Sequence, residues 1–382
     1  MFGNVPMRVR RFQACGCRAD GPKTVPALVT RKAAIAPELR YLTAKLAALM
    51  PFRAVAAVLN EVLPLSSTAH ASTVRNRTLR VGRRLQHAPP APTREPTTSG
   101  EHVVLGLDGG YVRDRHPRPA RTFEVVVGQI RGPGKAATRF AFVRRGSAAG
   151  AATIAQALRD HGVSPDTLVT VLSDGEAGLR AIQRPVTPEA DPVLDWFHIA
   201  MRWQHVQQLG TGAMRHGQDA ATRTWLLNQI ERGKWALWNG QLVKAPIHLS
   251  DLRVWTWNAR ADPAWLEHLR THLWELTVYL DANADALPNY GARYRAWQPI
   301  STGFAESAVN QILATRMIKR RQMRWNRDTV QPFLTVRVAV LNDTLEQAFR
   351  LWHTPFQTRR KTIHALRSVN SPQHCTLSSR GR

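Results

Sequence analysis

The sequence predicts an α/β core that is interrupted by a mostly helical stretch and preceded by a helical segment. Three observations carry this. Short β-rich apolar runs recur between 102 and 194, bounded by Gly, Pro or Asp. Residues 36–86 instead place apolar side chains at helical spacing. Residues 211–297 are helical in pattern and rich in tryptophan.

The helical segment comes first. "APELRYLTAKLAALM" stops at Pro51, and "FRAVAAVLNEVL" ends before Pro64. "SSTAHASTVRNRTLRVGRRLQ" has a candidate N-cap at Ser72, after which Val74, Leu79 and Val81 face inward and Arg75, Arg77 and Arg80 face out. Three short helices ending in a basic one read as a helix-turn-helix-like DNA-binding unit over 35–86, with Thr73, Arg75, Asn76 and Arg77 near the start of the recognition helix. A bundle with a solvated basic face is the plainer alternative. Residues 1–34 form an N-terminal remnant and the Pro/Thr-rich stretch 87–100 a linker.

Then the pattern changes. "HVVLGLDGG" reads as a β-run ending in Asp108, and "RTFEVVVGQI" and "TRFAFVRR" are two further strands joined by "RGPGKAA". "AAGAATIAQALRDHG" is a helix, "TLVTVLSDGEAG" a strand ending in Asp174 before a helix, and "DPVLDWFHIAMRWQHV" a strand running into a helix. Three hairpin-joined strands, a helix, then strand–helix–strand is the order of a ribonuclease H-like fold. Residues 101–210 form the leading segment of that core, 211–297 the helical insertion, 298–345 the closing segment of the core and 346–382 a basic tail. Most of Trp225, Trp235, Trp238, Trp255, Trp257, Trp265, Trp274 and Trp297 are expected in the core of the insertion, with one or two left to stack on unpaired bases.

Charge narrows the partner. The net charge is +26 over 382 residues. Residues 1–100 carry 16 Lys/Arg against 4 Asp/Glu, residues 316–382 carry 14 against 3, and the middle is nearly balanced. Basic ends around a neutral centre favour a polyanion. The three cysteines, Cys15, Cys17 and Cys375, argue against a disulfide framework and fit a reducing compartment. Cys15 and Cys17 make only half a zinc site. Neither a signal peptide nor a membrane span is present in the sequence, so a cytoplasmic, nucleoid-associated location is expected.

The chemistry is expected from acids. Asp108 and Asp174 each close a predicted strand, where ligands of α/β sheets gather. Each is followed by Gly, which reads either as room for an open carboxylate or as an ordinary turn. Phosphodiester chemistry uses clustered carboxylates because two hard cations can stabilise both the attacking and the leaving oxygen. Glu306, in "STGFAESAVNQILATRMIKRRQMRW", is the third candidate; a helix N-terminus alone would also favour an acid there. Its continuation carries Arg316, Lys319, Arg320, Arg321, Arg324 and Arg327, read as a grip on the DNA backbone. "LDWFH" adds Asp195 and His198 at i, i+3, either supporting the site or forming a buried hydrogen bond. Asn310, one turn past Glu306, is placed to steady it.

"LGLDGGYVR", "LSDGE", "DWFH", "GFAESAVNQI…RMIKRRQMRW" and "FLTVRVAVLND" together resemble the ISKra-type family of bacterial insertion-sequence transposases over roughly 30–345. That resemblance implies a DDE triad of Asp108, Asp174 and Glu306 on a ribonuclease H-like core, holding two Mg²⁺ ions, with Mn²⁺ as a substitute. The Asp195–His198 pair resembles one found in Mutator-like transposases. It further implies cleavage at terminal inverted repeats, transfer of the 3′-OH to target DNA, and a homo-oligomer on double-stranded DNA. The start "MFGNVPMRVRRF" looks like the middle of a longer family N-terminus, so a truncated copy is an expectation too. Two other readings stay open: a ribonuclease H-like nuclease or resolvase, and a DNA-binding relic without cleavage activity.

Overall fold

The structure, a computed structural model, describes residues 11–13, 24–26, 35–65, 67–88, 101–115, 121–318, 325–353 and 356. Two short strands, β1 (Arg11–Gln13) and β2 (Thr24–Pro26), pair antiparallel near the start. Three helices follow: α1 (Pro37–Leu49), α2 (Phe52–Val62) and α3 (Ala71–Gln86). Pro sits at the first turn of α1, where its missing N–H costs nothing. The third helix begins at Ala71 with His70 as its cap residue, so Ser72 lies inside it.

The core is a five-stranded mixed sheet in the order β5-β4-β3-β6-β7. Its strands are β3 (His102–Arg113), β4 (Thr122–Arg131), β5 (Thr138–Val143), β6 (Leu168–Ser173) and β7 (Asp191–Leu194). β3, β4 and β5 are antiparallel neighbours; β3–β6 and β6–β7 pair parallel. The parallel pairs need crossovers, supplied by α4 (Ser147–His161) and α5 (Ala177–Gln183). Gly162, at φ 89°, closes α4 in the left-handed conformation that favours glycine.

Strand alternation divides the core. Val103, Leu105 and Leu107 of β3 face α4 and α5, packing with Ile130, Phe142, Ile154 and Leu179. The even residues face the opposite side, where Val112 joins Phe52, Leu59, Val74, Ile312 and Phe333. The N-terminal helices therefore share one core with the sheet, against the expectation of a separate DNA-binding module. A glycine makes that seam: a Cβ on Gly82 would overlap the Pro332 carbonyl oxygen. Pro332 lies inside α12 (Arg327–Leu341), which crosses α3 there.

The helical insertion begins earlier than residue 211, because α6 (Trp196–Thr211) packs with α7 (Ala220–Trp238), α8 (Lys244–Asn258), α9 (Pro263–Ala282) and α10 (Tyr290–Arg295). Aspartates cap three of them: Asp195, Asp219 and Asp262 accept from backbone N–H groups of the first turns. Trp203, Leu226, Leu249, Trp265 and Leu273 form its core, which continues into the sheet through Val104, Leu172 and Val193. Only Trp265 of the eight tryptophans singled out above is fully buried; Trp235, Trp257, Trp274 and Trp297 are exposed. Packing a helix against its neighbours needs only one buried stripe, so the remaining aromatics fall on outer faces.

The chain then re-enters the core through α11 (Gly303–Val309), which runs into a π-helical turn, Asn310–Ala314. Finally α13 (Leu345–Trp352) packs back onto α1, with Phe349 edge-on to Tyr41 at 5.5 Å. The region expected as a basic tail from 346 thus begins as a piece of the core. No described helix is long and apolar enough to cross a membrane.

Candidate active site

The site forms where β3 and β6 diverge. Their last parallel pair is Gly106↔Leu172. Two residues further along each chain stand Asp108 and Asp174, so the two acids lie level. Asp174 follows the end of β6 and leaves the sheet through Gly175, at φ 82°, as predicted for an Asp-Gly turn. Asp108 differs from expectation: β3 does not end there but runs on to Arg113, antiparallel to β4. The glycines after it are strand residues. Asp108 itself accepts the Gly109 N–H at 2.7 Å.

The neighbouring glycines let α11 approach. Gly106, Asp108 and Gly110 share one face of β3. A Cβ on Gly106 would meet the Phe304 ring at 2.5 Å, and one on Gly110 would meet Leu313 Cδ1 at 2.5 Å. The helix thus lies directly over Asp108, and its exposed first-turn acid is Glu306. The Glu306 carboxylate makes no hydrogen bond or ion pair among the described residues.

A latch fixes the start of that helix. Asp195, fully buried, caps α6 through the Phe197 N–H at 2.8 Å. Its other oxygen accepts from His198 Nδ1 at 2.8 Å and from the Thr302 hydroxyl. The Trp196 N–H donates to the Ile300 carbonyl at 3.0 Å. Chain entering the insertion is thereby tied to chain leaving it, just before α11. Asp195 and His198 form the buried hydrogen bond that one reading of "LDWFH" expected, and it fixes the orientation of the His198 ring.

The charges act on one another. Burial is the largest cause that lifts Asp108 to about 6, with Asp174 and Glu306 raising it further. The Gly109 N–H and His198 oppose the rise. His198 is raised above the ordinary histidine value by its bond to Asp195, and again by Asp174 and Asp108. Asp195 is held below the usual carboxylate range by His198, Thr302 and Phe197, which outweigh its burial. Crowded carboxylates that favour a proton are those that a cation would relieve. All three acids offer hard oxygen donors, which suit Mg²⁺ or Mn²⁺. Among the described residues no three His, Cys, Asp or Glu stand close enough to cage one ion. Mg²⁺ ordinarily takes only one or two carboxylates and completes its shell with water and phosphate.

Three residues escape sequence reading. Thr302 is the latch just described. The Tyr279 hydroxyl donates to the Asp174 carbonyl at 2.7 Å, and the Arg202 guanidinium lies 4.2 Å from the Tyr279 ring centroid. Burial raises the Tyr279 hydroxyl well above its ordinary value, so it stays a donor. Tyr279 comes from α9, 105 residues after Asp174, and no local pattern marks it. Arg202 lies one turn after His198, and that spacing is the one signal the sequence carries for it.

The basic residues divide. Arg316 is fully buried, against its expected role on DNA: its guanidinium sits 4.8 Å from the Phe52 ring and 4.9 Å from that of Phe333, and Nε donates to the Ala47 carbonyl at 3.2 Å. Its side chain is taken inside by the packing of α1, α2 and α12, where Phe52, Phe333 and the Ala47 carbonyl receive it. Arg327 is exposed at the start of α12. Lys319, Arg320, Arg321 and Arg324 lie outside the described residues, as do Cys15, Cys17 and Cys375. On α3, Asn76 is exposed, while Thr73, Arg75 and Arg77 are half-buried. Arg75 donates to the Thr329 hydroxyl at 3.3 Å, so it braces α12. Asn310 begins the π-helical turn, and its N–H donates to the Glu306 carbonyl.

No family model and no characterised protein matches this chain.

Proposed function

We propose that the protein is a DDE-type DNA transposase of an insertion sequence, acting with Mg²⁺ or Mn²⁺ on a ribonuclease H-like core. The observation that carries this reading is Asp108: a carboxylate raised to about 6, with Asp174 and Glu306 both contributing to the rise. Acids from three distant stretches of the chain act electrostatically on one another here, on a protein of charge +26. The strand order β5-β4-β3-β6-β7, with three antiparallel strands and two parallel ones, supports a ribonuclease H-like core.

Asp108, Asp174 and Glu306 would hold the cations, which would supply charge stabilisation to the attacking and leaving oxygens. The chain's own contribution is geometric and protonic. The latch of Asp195 and Thr302 fixes where Glu306 stands. His198, whose hold on a proton Asp195 strengthens, lies beside Asp108 and Asp174 and would return a proton to a leaving 3′ oxygen. Arg327, with the cations before it in sequence, would hold the phosphate backbone.

Purified protein with Mg²⁺ and a plasmid carrying the DNA that flanks the reading frame tests this. Paired nicks and 3′-OH joints that Asp108→Asn abolishes would establish the reading. Nicks without joints would make it a nuclease. Binding without any cleavage would make it a relic.

A further inference from the structure

Trp297 stands in a backbone position made for glycine. It follows α10, and the Gln298 N–H reaches back to the Arg293 carbonyl at 2.9 Å, while the Trp297 N–H donates to the Tyr294 carbonyl at 3.1 Å. That six-residue closure places its left-handed residue at Trp297, with φ 56°. A bulky side chain there is strained. Nothing in the packing offsets the strain, for the residue is 94% exposed. Tyr294 and Arg295, just before it, are exposed as well.

The position is tethered to the latch that precedes α11. Ile300 lies three positions after Trp297, and its carbonyl accepts from the Trp196 N–H beside Asp195. That is at most about 11 Å of chain. A flat, rigid, apolar surface next to an exposed guanidinium suits a ligand that is planar and carries negative charge nearby. A paired base hides its face within the stack; an unpaired one exposes it.

We propose that Trp297 stacks on an unpaired nucleobase of the DNA strand held at the carboxylate cluster. This rests on the DNA reading above, and it assigns a strand-opening or end-holding contact to the foot of the insertion. The test compares wild type, Trp297→Ala and Trp297→Phe on two probes: a fully paired duplex, and the same duplex with a short unpaired tail carrying 2-aminopurine. Affinity comes from anisotropy and stacking from quenching of the probe base. Wild type should prefer the tailed duplex by about 5- to 150-fold and quench the probe. Alanine should bring that ratio close to one and abolish quenching, and phenylalanine should restore much of both. An unchanged ratio in the alanine variant overturns the proposal, as does loss of self-association in that variant with tailed-DNA preference intact. If wild type binds neither probe, the DNA reading itself fails, which the paired duplex alone reveals.

Discussion

Arg337 and Asp108 are both drawn away from water, and the protein handles the two charges in opposite ways. Between α1, α12 and the π-helical turn, Arg337 donates to the carbonyls of Ile312, Ala48 and Gln311 and, at 2.7 Å, to the Thr315 hydroxyl. Burial still lowers it to about 10, so it remains charged at neutral pH. Arg316 nearby lies among the faces of Phe52, Trp325 and Phe333. At the sheet end, Asp108 has one backbone donor and two acidic neighbours. The first charge closes helix ends and is met by what it touches. The second is left short, which is the condition of a group waiting for a ligand.

Four experiments sharpen or break that contrast. The largest effect is on the under-satisfied side: Asp174→Asn or Glu306→Gln should lower DNA cleavage on the order of 10³-fold, about 4 kcal/mol of charge stabilisation. Retained cleavage in either variant would remove that acid from the site.

On the satisfied side, Arg337→Met should destabilise the fold by about 3–5 kcal/mol, because several carbonyls lose their donor inside the core. Arg337→Lys should recover little, since one ammonium cannot reach the same carbonyls as a fork. Urea midpoints check this, and a loss below about 1 kcal/mol would mean that water replaces the guanidinium.

Asp108 should behave in the reverse sense. Its folded value of about 6 exceeds the ordinary 3.8, so between these values the native state binds more protons than the unfolded one. Stability therefore falls as pH rises through that window. Asp108→Asn should stabilise the protein by about 1–3 kcal/mol at pH 7.5 and by much less at pH 4. Mg²⁺ should raise the thermal midpoint of wild type and not of the variant. A destabilised variant would show that the Asp108 carboxylate is a structural group after all.

The smallest effect concerns the surface. Arg327→Ala should lower the slope of log affinity against log salt by about 0.9, one phosphate contact. An unchanged slope would place Arg327 off the DNA path.

Much of the sheet was legible because its strands are long apolar runs with punctuation at Gly and Pro. Asp108 and Asp174 were legible for the same reason, each being followed by a glycine at an apolar run; Glu306 was legible as the lone acid ahead of a dense basic run. Asp108 was placed at the wrong kind of boundary, since Gly109 and Gly110 read locally as a turn and serve instead to admit Leu313 and to face Glu124. A basic run at helical spacing reads as solvated, and only the three aromatic faces around Arg316, from distant parts of the chain, show that it is buried. The bracing of α3 on α12, the Tyr279 contact and the Thr302 latch all join residues far apart in sequence, and periodicity carries no information at that range.

The seam at Gly82 and Pro332 bears on how this chain can be divided. A gene trimmed to begin at residue 101 would encode a sheet whose even face has lost Phe52, Leu59 and Val74, and such a product should aggregate. The same apolar wall offers an opportunity, because the two sides meet without a covalent bond across it. Expressed as separate polypeptides, 35–88 and 101–356 should find each other, giving a split protein whose folding, and whatever activity it carries, is switched on by the supply of the smaller piece.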